Sequence, residues 1–233
     1  MTDHDRRRRV VKAVTGTLSR STARDEQKSV GPSEIGDPCG RCLGQALCRK
    51  YPELWFDHEP PPADTFSLKA WVGTAIHEKL ERELDYPGAL KEITVPITYL
   101  EGYGDISGHC DLFMERTVLD YKSKDLHKIR DLKLQGRPPT SELVQTNLYG
   151  HGARQLGHAV EDLCLFYIPR DSNRLDDCFP AFLQPNEEVV RRSLDRLHKV
   201  WEMVRNGKGH ELTSHEDCYR CVVRYRIVNR RDR

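Results

Sequence analysis

Two aspartates, one lysine and two cysteine pairs are the residues of this chain whose types and spacing suit chemistry. Ile106–Met114 and Thr117–Lys124 read as the strands of a hairpin that turns at Glu115-Arg116. With a two-residue loop Met114 faces Thr117 and paired positions add to 231, so Asp111 stands opposite Asp120. A four-residue loop keeps that pairing; a bulged three-residue loop shifts it by one. Directly opposed residues share a face, with Cβ atoms about 4.5–5.5 Å apart. The period of two puts Lys122 on that face beside Asp120 and turns Tyr121 and Ser123 away. Two carboxylates about 5 Å apart repel by about 3 kcal/mol at an effective dielectric near 20. A divalent cation removes that penalty, and hard oxygen ligands suit Mg²⁺ or Mn²⁺. Lys122 would then polarise a phosphoryl oxygen, orient a water, or act as a base with a lowered pKa. The same pattern also describes a salt bridge on an exposed hairpin face, and periodicity does not choose between the two.

The eight cysteines fall into two groups. Cys110, Cys164 and Cys178 stand singly in or beside predicted strands, the first two as small core residues. Cys39-x-x-Cys42, with Cys48 nearby, and Cys218-x-x-Cys221 have metal-ligand spacing. Paired C-x-x-C turns offer four thiolates, enough for tetrahedral zinc or an iron–sulfur cluster. A metal shared by both pairs would join the two ends of the chain.

Positioning these residues requires a sheet and helices. A short helix through Leu43–Leu47 follows a turn at Gly36–Cys39, and Pro60–Pro62 make a stiff loop. Ile76, Leu80 and Leu84 recur at four-residue spacing in a helix over Trp71–Leu84. Leu90–Leu100 alternates as a strand despite Pro96, and Leu163–Ile168 is a buried strand stopped by Pro169. Ser141 caps a helix reaching about Leu156. Asn186 caps a longer one, with Val190, Leu194, Leu197, Trp201 and Val204 on one face, stopped by Asn206-Gly207. These elements describe an α/β protein. Gly102-x-Gly104 precedes a strand instead of opening a helix, so it is no dinucleotide fingerprint. There is no Walker A sequence to power a motor.

Composition narrows the class further. The 233 residues carry 37 basic and 36 acidic side chains, and mean hydropathy is −0.69. No apolar run approaches the roughly 20 residues of a spanning helix. The Arg6–Arg9 run has no apolar stretch behind it to make an export signal. Clustered cysteines without such a signal suit a reducing, cytoplasmic setting. Charge is unevenly placed: residues 1–30 are +4 and residues 218–233 are +5, which leaves −8 between them. An acidic centre between basic ends suits a cation site flanked by contacts to a polyanion, though solvated tails would look the same.

Here the residues resemble a family. Gly73-Thr-Ala-Ile-His77-Glu78, then Gly108-His-Cys-Asp111, Asp120-Tyr121-Lys122 and Gln145-x-x-x-Tyr149 resemble, in order, the motifs of the RecB-type branch of the PD-(D/E)XK nucleases. The resemblance implies a restriction-endonuclease-like α/β core, a central mixed β-sheet flanked by helices, with the chain ends joined by a Cys-ligated metal site. It implies that His77, Asp111, Asp120 and the Tyr121 backbone carbonyl hold Mg²⁺ or Mn²⁺, and that Lys122 is the catalytic lysine. Gln145 and Tyr149 would contact DNA. Asp120 stands where many relatives have Glu. Ser33-x-Ile-Gly36-x-x-Cys39-x-Arg41 resembles the opening segment of a subset that carries a [4Fe–4S] cluster, including exonucleases associated with CRISPR adaptation. That subset commonly has one cysteine upstream and three downstream. This chain has three and two, so Cys39, Cys42, Cys218 and Cys221 are the expected ligands, with Cys48 in reserve and Zn²⁺ as the alternative.

The expectation is therefore a stand-alone, metal-dependent DNA exonuclease acting on single-stranded ends in recombination or repair. Residues 1–30 would form a basic flexible segment and 31–233 one nuclease domain, with metal-cluster segments at about 31–60 and 210–233. Arg220, Arg224 and Arg226 would border the DNA path. The rival expectations are a structure-selective endonuclease on the same fold and a zinc-bearing nucleic-acid-binding module.

Overall fold

A computed structural model describes residues 7–13, 15, 29–57 and 67–221. Arg6, the Pro60–Pro62 loop, Arg224 and Arg226 lie outside the described residues.

Five strands form one mixed sheet in chain order: β1 (Leu90–Leu100), β2 (Gly104–Met114), β3 (Thr117–Lys124), β4 (Asp162–Pro169) and β5 (Phe179–Leu183). All neighbours are antiparallel except β3 and β4, which run parallel. A parallel step needs a crossover. It is supplied by α4 (Leu126–Gln135) and α5 (Thr140–Gln155). Further helices are α1 (Pro32–Ile35), α2 (Gly40–Cys48), α3 (Leu68–Glu83) and α6 (Glu187–Arg205).

The β2–β3 hairpin has the two-residue loop of the simplest reading. Met114 pairs with Thr117, and Glu115 and Arg116 both take left-handed backbone angles, φ 47° and 60°. That mirror-image turn matches the twist of the strands it joins. In α6 the Asn186 side chain accepts the Glu188 and Val189 N–H groups, and Val190, Leu197, Trp201 and Val204 are buried, as the spacing predicts. α3 begins at Leu68, earlier than predicted, because Ser67 Oγ accepts the Ala70 N–H. At α5 the cap position falls on Pro139, ahead of Ser141.

Besides the one-turn α1, two longer elements escaped the periodicity. α4 buries only Ile129 and Leu132, too few apolar positions to register as a pattern. β5 contains Pro180, which lacks a ladder N–H and belongs at the sheet edge where β5 lies.

The main core is built between the sheet and α5. Val144, Leu148 and Ala153 of α5 meet Val95, Ile97, Ile106, Val118 and Leu163, with α6 and α2 packed beyond. Gly152 lets α5 approach this closely: a Cβ there would lie 2.4 Å from the Pro96 carbonyl oxygen. Gly108 does the same on β2, where a Cβ would lie 2.6 Å from Pro32 and 2.8 Å from the Tyr149 ring. The site motifs thus include residues whose task is to bring a helix onto the sheet.

Candidate active site and cysteine cluster

One level of the sheet breaks the backbone ladder on both sides of β2. Between β1 and β2 the paired positions run Lys91↔Leu112 and then Ile93↔Cys110, skipping Glu92 and Asp111. Between β2 and β3 the ladder ends at Leu112↔Leu119, one step before Asp111 would meet Asp120. Glu92, Asp111 and Asp120 therefore stand in a row across three adjacent strands, at the place where the strands part. Glu92 sits at φ 48°, a left-handed angle uncommon for a residue with a side chain. Such strain persists where the surroundings hold it and is frequent at functional sites.

Around this row the predicted site residues come together. His77, on α3, places Nδ1 3.3 Å from Asp111 Oδ1. Its ring stands edge-on to Tyr121 at 5.7 Å between centroids. Asp111 Oδ2 accepts the Tyr121 N–H at 2.6 Å. In an extended strand the N–H and C=O of one residue face the same side, so the Tyr121 carbonyl also faces β2. Donor atoms of His77, Glu92 and Asp111 all lie within 4.8 Å of one another. Asp120 is not one of this group. It stands beside it, 2% exposed, with Oδ2 2.6 Å from Lys122 Nζ. Of the expected set of His77, Asp111, Asp120 and the Tyr121 carbonyl, His77 and Asp111 stand together with Glu92, while the Asp120 carboxylate is paired with Lys122 on the α5 side.

Glu92 is the residue that sequence reasoning missed. Its strand was legible, but its partner was not. Counting back from Leu100↔Gly104 puts Glu92 opposite Leu112, and only the bulge between Pro96 and Thr98 moves it opposite Asp111. Pro96 was the available signal, since proline within a strand marks an edge or a bulge.

α5 supplies the other wall. Lys122 donates to Gln145 Oε1 at 2.9 Å, and Gln145 Nε2 donates to the Tyr149 hydroxyl at 2.9 Å. Tyr149, expected to contact DNA together with Gln145, is 6% exposed and stands behind Gln145. Two residues past Lys122, Lys124 donates to Glu142 Oε1 at 2.5 Å, and the other oxygen of Glu142 takes the Tyr167 hydroxyl at 2.8 Å.

Charge and burial shift the titrations here. Burial pushes the Asp120 carboxyl up to about 6, with Asp111 adding to the rise and Lys122 opposing it. Burial also lifts Glu92, helped by the charges of Asp111 and Glu81. For His77 burial lowers the pKa, but the bond to Asp111 outweighs it and the net shift is upward. Lys122 is likewise raised, since its pairing with Asp120 outweighs burial. It is held as a cation.

The second cluster joins residues far apart in the chain. Cys39, Cys42, Cys218 and Cys221 have all four Sγ atoms within 4.8 Å of one another. Burial lifts Cys42 far above the usual thiol range. Burial raises Cys39 too, but the Cys42 and His215 N–H groups outweigh it and bring that thiol below its ordinary value. Cys48 stays out of the cluster: it is buried and donates to the Leu54 carbonyl at 3.3 Å. Cys110 and Cys164 are core residues, fully buried.

The fold is similar to that of solved exonuclease structures. LHK-Exo, an alkaline exonuclease from Laribacter hongkongensis, matches with a TM-score of 0.55 at 7% identity, over 78% of this chain and 91% of that one. LHK-Exo in complex with dAMP matches over the same shares, with a TM-score of 0.54 at 10% identity. No protein-family model and no curated protein matches the sequence. No helix among the described residues is long and apolar enough to cross a membrane.

Proposed function

We propose that this chain is a RecB-type, divalent-metal-dependent deoxyribonuclease that hydrolyses phosphodiester bonds at single-stranded DNA ends, in recombination or repair. The observation that carries this reading is the row Glu92–Asp111–Asp120 at the break in the ladder, with Lys122 held beside it. Like charges directly opposite destabilise a sheet, so a row of three carboxylates calls for a cation.

The donors fit Mg²⁺ or Mn²⁺. His77, Glu92 and Asp111 would hold it, with Asp120 and the Tyr121 carbonyl completing the set. When bound, such an ion supplies a nucleophile from water at neutral pH and neutralises charge on the phosphate. The protein's own groups do the rest. Lys122, kept protonated by Asp120, presents a fixed positive charge to a phosphoryl oxygen. Its raised pKa supports this role over that of a general base. Gln145, braced by Tyr149, fixes the direction of the ammonium. LHK-Exo, of related fold, binds dAMP. A deoxynucleoside monophosphate is the product class that an end-directed deoxyribonuclease releases.

The test is end-labelled linear and covalently closed circular single-stranded DNA, with wild type and Asp120→Ala, in Mg²⁺, Mn²⁺ or EDTA. Metal-dependent loss of linear DNA alone, absent in the variant, is the expected result. Cut circles would make it an endonuclease. Binding without cleavage in any metal would leave a binding module and overturn the reading.

A further inference from the structure

The sulfur positions discriminate between the two metal classes that two C-x-x-C pairs allow. A single tetrahedral ion with metal–sulfur bonds of about 2.3 Å sets its four sulfurs about 3.8 Å apart. A [4Fe–4S] cluster gives each thiolate its own iron at a corner of a cube, which spreads the sulfurs to about 6 Å. Here Cys39 and Cys221 Sγ are 3.6 Å apart, Cys42 and Cys218 3.4 Å, and Cys42 and Cys221 3.8 Å. No pair of the four exceeds 4.8 Å. The cubane does not fit between them.

Contacts that involve no sulfur hold the two cysteine segments together. The Arg41 N–H donates to the Thr213 carbonyl at 3.2 Å, which fastens the first turn to the segment leading into the second. Leu212 lies under α2 so closely that a Cβ on Gly44 would be 2.5 Å from its Cδ1. The first pair is also shaped as a metal knuckle: Cys39 caps α2, and its Sγ accepts the Cys42 N–H at 3.5 Å. Backbone N–H groups aimed at a ligating sulfur orient it and spread its charge.

We infer that Cys39, Cys42, Cys218 and Cys221 bind one tetrahedral Zn²⁺ and not an iron–sulfur cluster. Each ligating thiol gives its proton to solvent as the ion enters, and no electron moves. The site is closed, with four protein ligands and no position for substrate, so it is a structural clamp between the two ends of the chain. Cys48 has no part in it.

Counting metal tests this without any DNA, so its outcome is independent of the nuclease reading. The full chain is produced with iron and zinc both supplied, purified with and without oxygen, and examined by elemental analysis and absorption. The expected result is about one zinc per chain, with no iron, no acid-labile sulfide and no brown colour. Cys218→Ser should lose most of the zinc, and Cys48→Ser should keep it. Exchange into Co²⁺ should give the intense visible bands of a tetrahedral tetrathiolate. Brown protein with about four irons per chain, or iron in any stoichiometry after anaerobic purification, overturns the inference. So does a metal-free protein that takes up no zinc when it is offered.

Discussion

The carboxylate row and the cysteine cluster are two answers to one problem, holding like charges together, and they solve it with different parts of the fold. The row sits where strands part, its donors are hard oxygens and an imidazole, and one of its residues is strained. The cluster sits where helical turns begin, its donors are soft sulfurs, and ordinary backbone contacts hold its two segments together. A working site needs open positions and tolerates strain; a closed clamp needs neither. The two should therefore respond differently to the same kind of change.

The largest separation should come from Asp120→Ala, which removes the buried partner of Lys122. DNA cleavage should fall by at least about 10³-fold, comparable to losing a strong electrostatic group, while zinc content stays at the wild-type level. Equal loss of zinc would mean the two regions are one cooperative unit. Cys218→Ser is the mirror experiment. Structural zinc is worth on the order of 10 kcal/mol of apparent binding free energy, so the melting temperature should drop steeply. Activity measured well below that temperature should fall far less.

Glu92 sharpens the comparison, because strain and ligation there predict opposite signs. Glu92→Gln should weaken Mn²⁺ binding by about 10–100-fold in calorimetric titration. Glu92→Gly should weaken it equally, yet raise the melting temperature of the metal-free protein. Glycine accepts φ 48° without a side-chain penalty, a gain on the order of 1 kcal/mol. A Gly variant that melts lower would show Glu92 to be a structural residue.

The pH response belongs to the carboxylate row alone. Cleavage should rise from pH 5 to pH 7 as Asp120, pushed up to about 6, ionises. Stability should run the other way for the same carboxyl. Its folded pKa lies above the unfolded value of 3.8, so the folded state holds the proton more tightly. The cost of the buried charge is present at neutral pH and lifts as pH falls from about 6 toward 4. In Asp120→Asn that contribution should vanish from the melting profile of the metal-free protein. Smallest is Gly108→Ala, which forces Pro32 or the Tyr149 ring to move. About 1–3 kcal/mol of stability should be lost, with activity falling through Gln145 and zinc unchanged.

Legibility followed locality. The Glu115-Arg116 hairpin could be counted residue by residue, so the Asp120–Lys122 side of the site and its facing strand were readable. The Asn186 cap and the apolar stripe of the last helix were readable for the same reason. Glu92 was not, because the bulge between Pro96 and Thr98 altered the register between the β1–β2 turn and the site. The burial of Tyr149 was not readable either, because i,i+4 spacing says that it shares a face with Gln145 but not that the ring packs against Gly108. The α4 helix and the β5 edge strand carry too little pattern of their own and exist because the sheet gives them a surface to cover.

By itself the sequence determined the chemistry on offer: hard donors in the middle, thiols in C-x-x-C turns near both ends, and a lysine two residues from an aspartate. Those are properties of residue type and short spacing, which local backbone geometry preserves. Only the tertiary structure decided which donors meet. Whether four thiols stand at zinc or cluster spacing depends on how the Thr213 segment docks against α2. Whether Glu92 or Asp120 lies nearest to His77 depends on a bulge and a buried ion pair. Both are contacts between segments distant in the chain, and no local period encodes a distance set by packing.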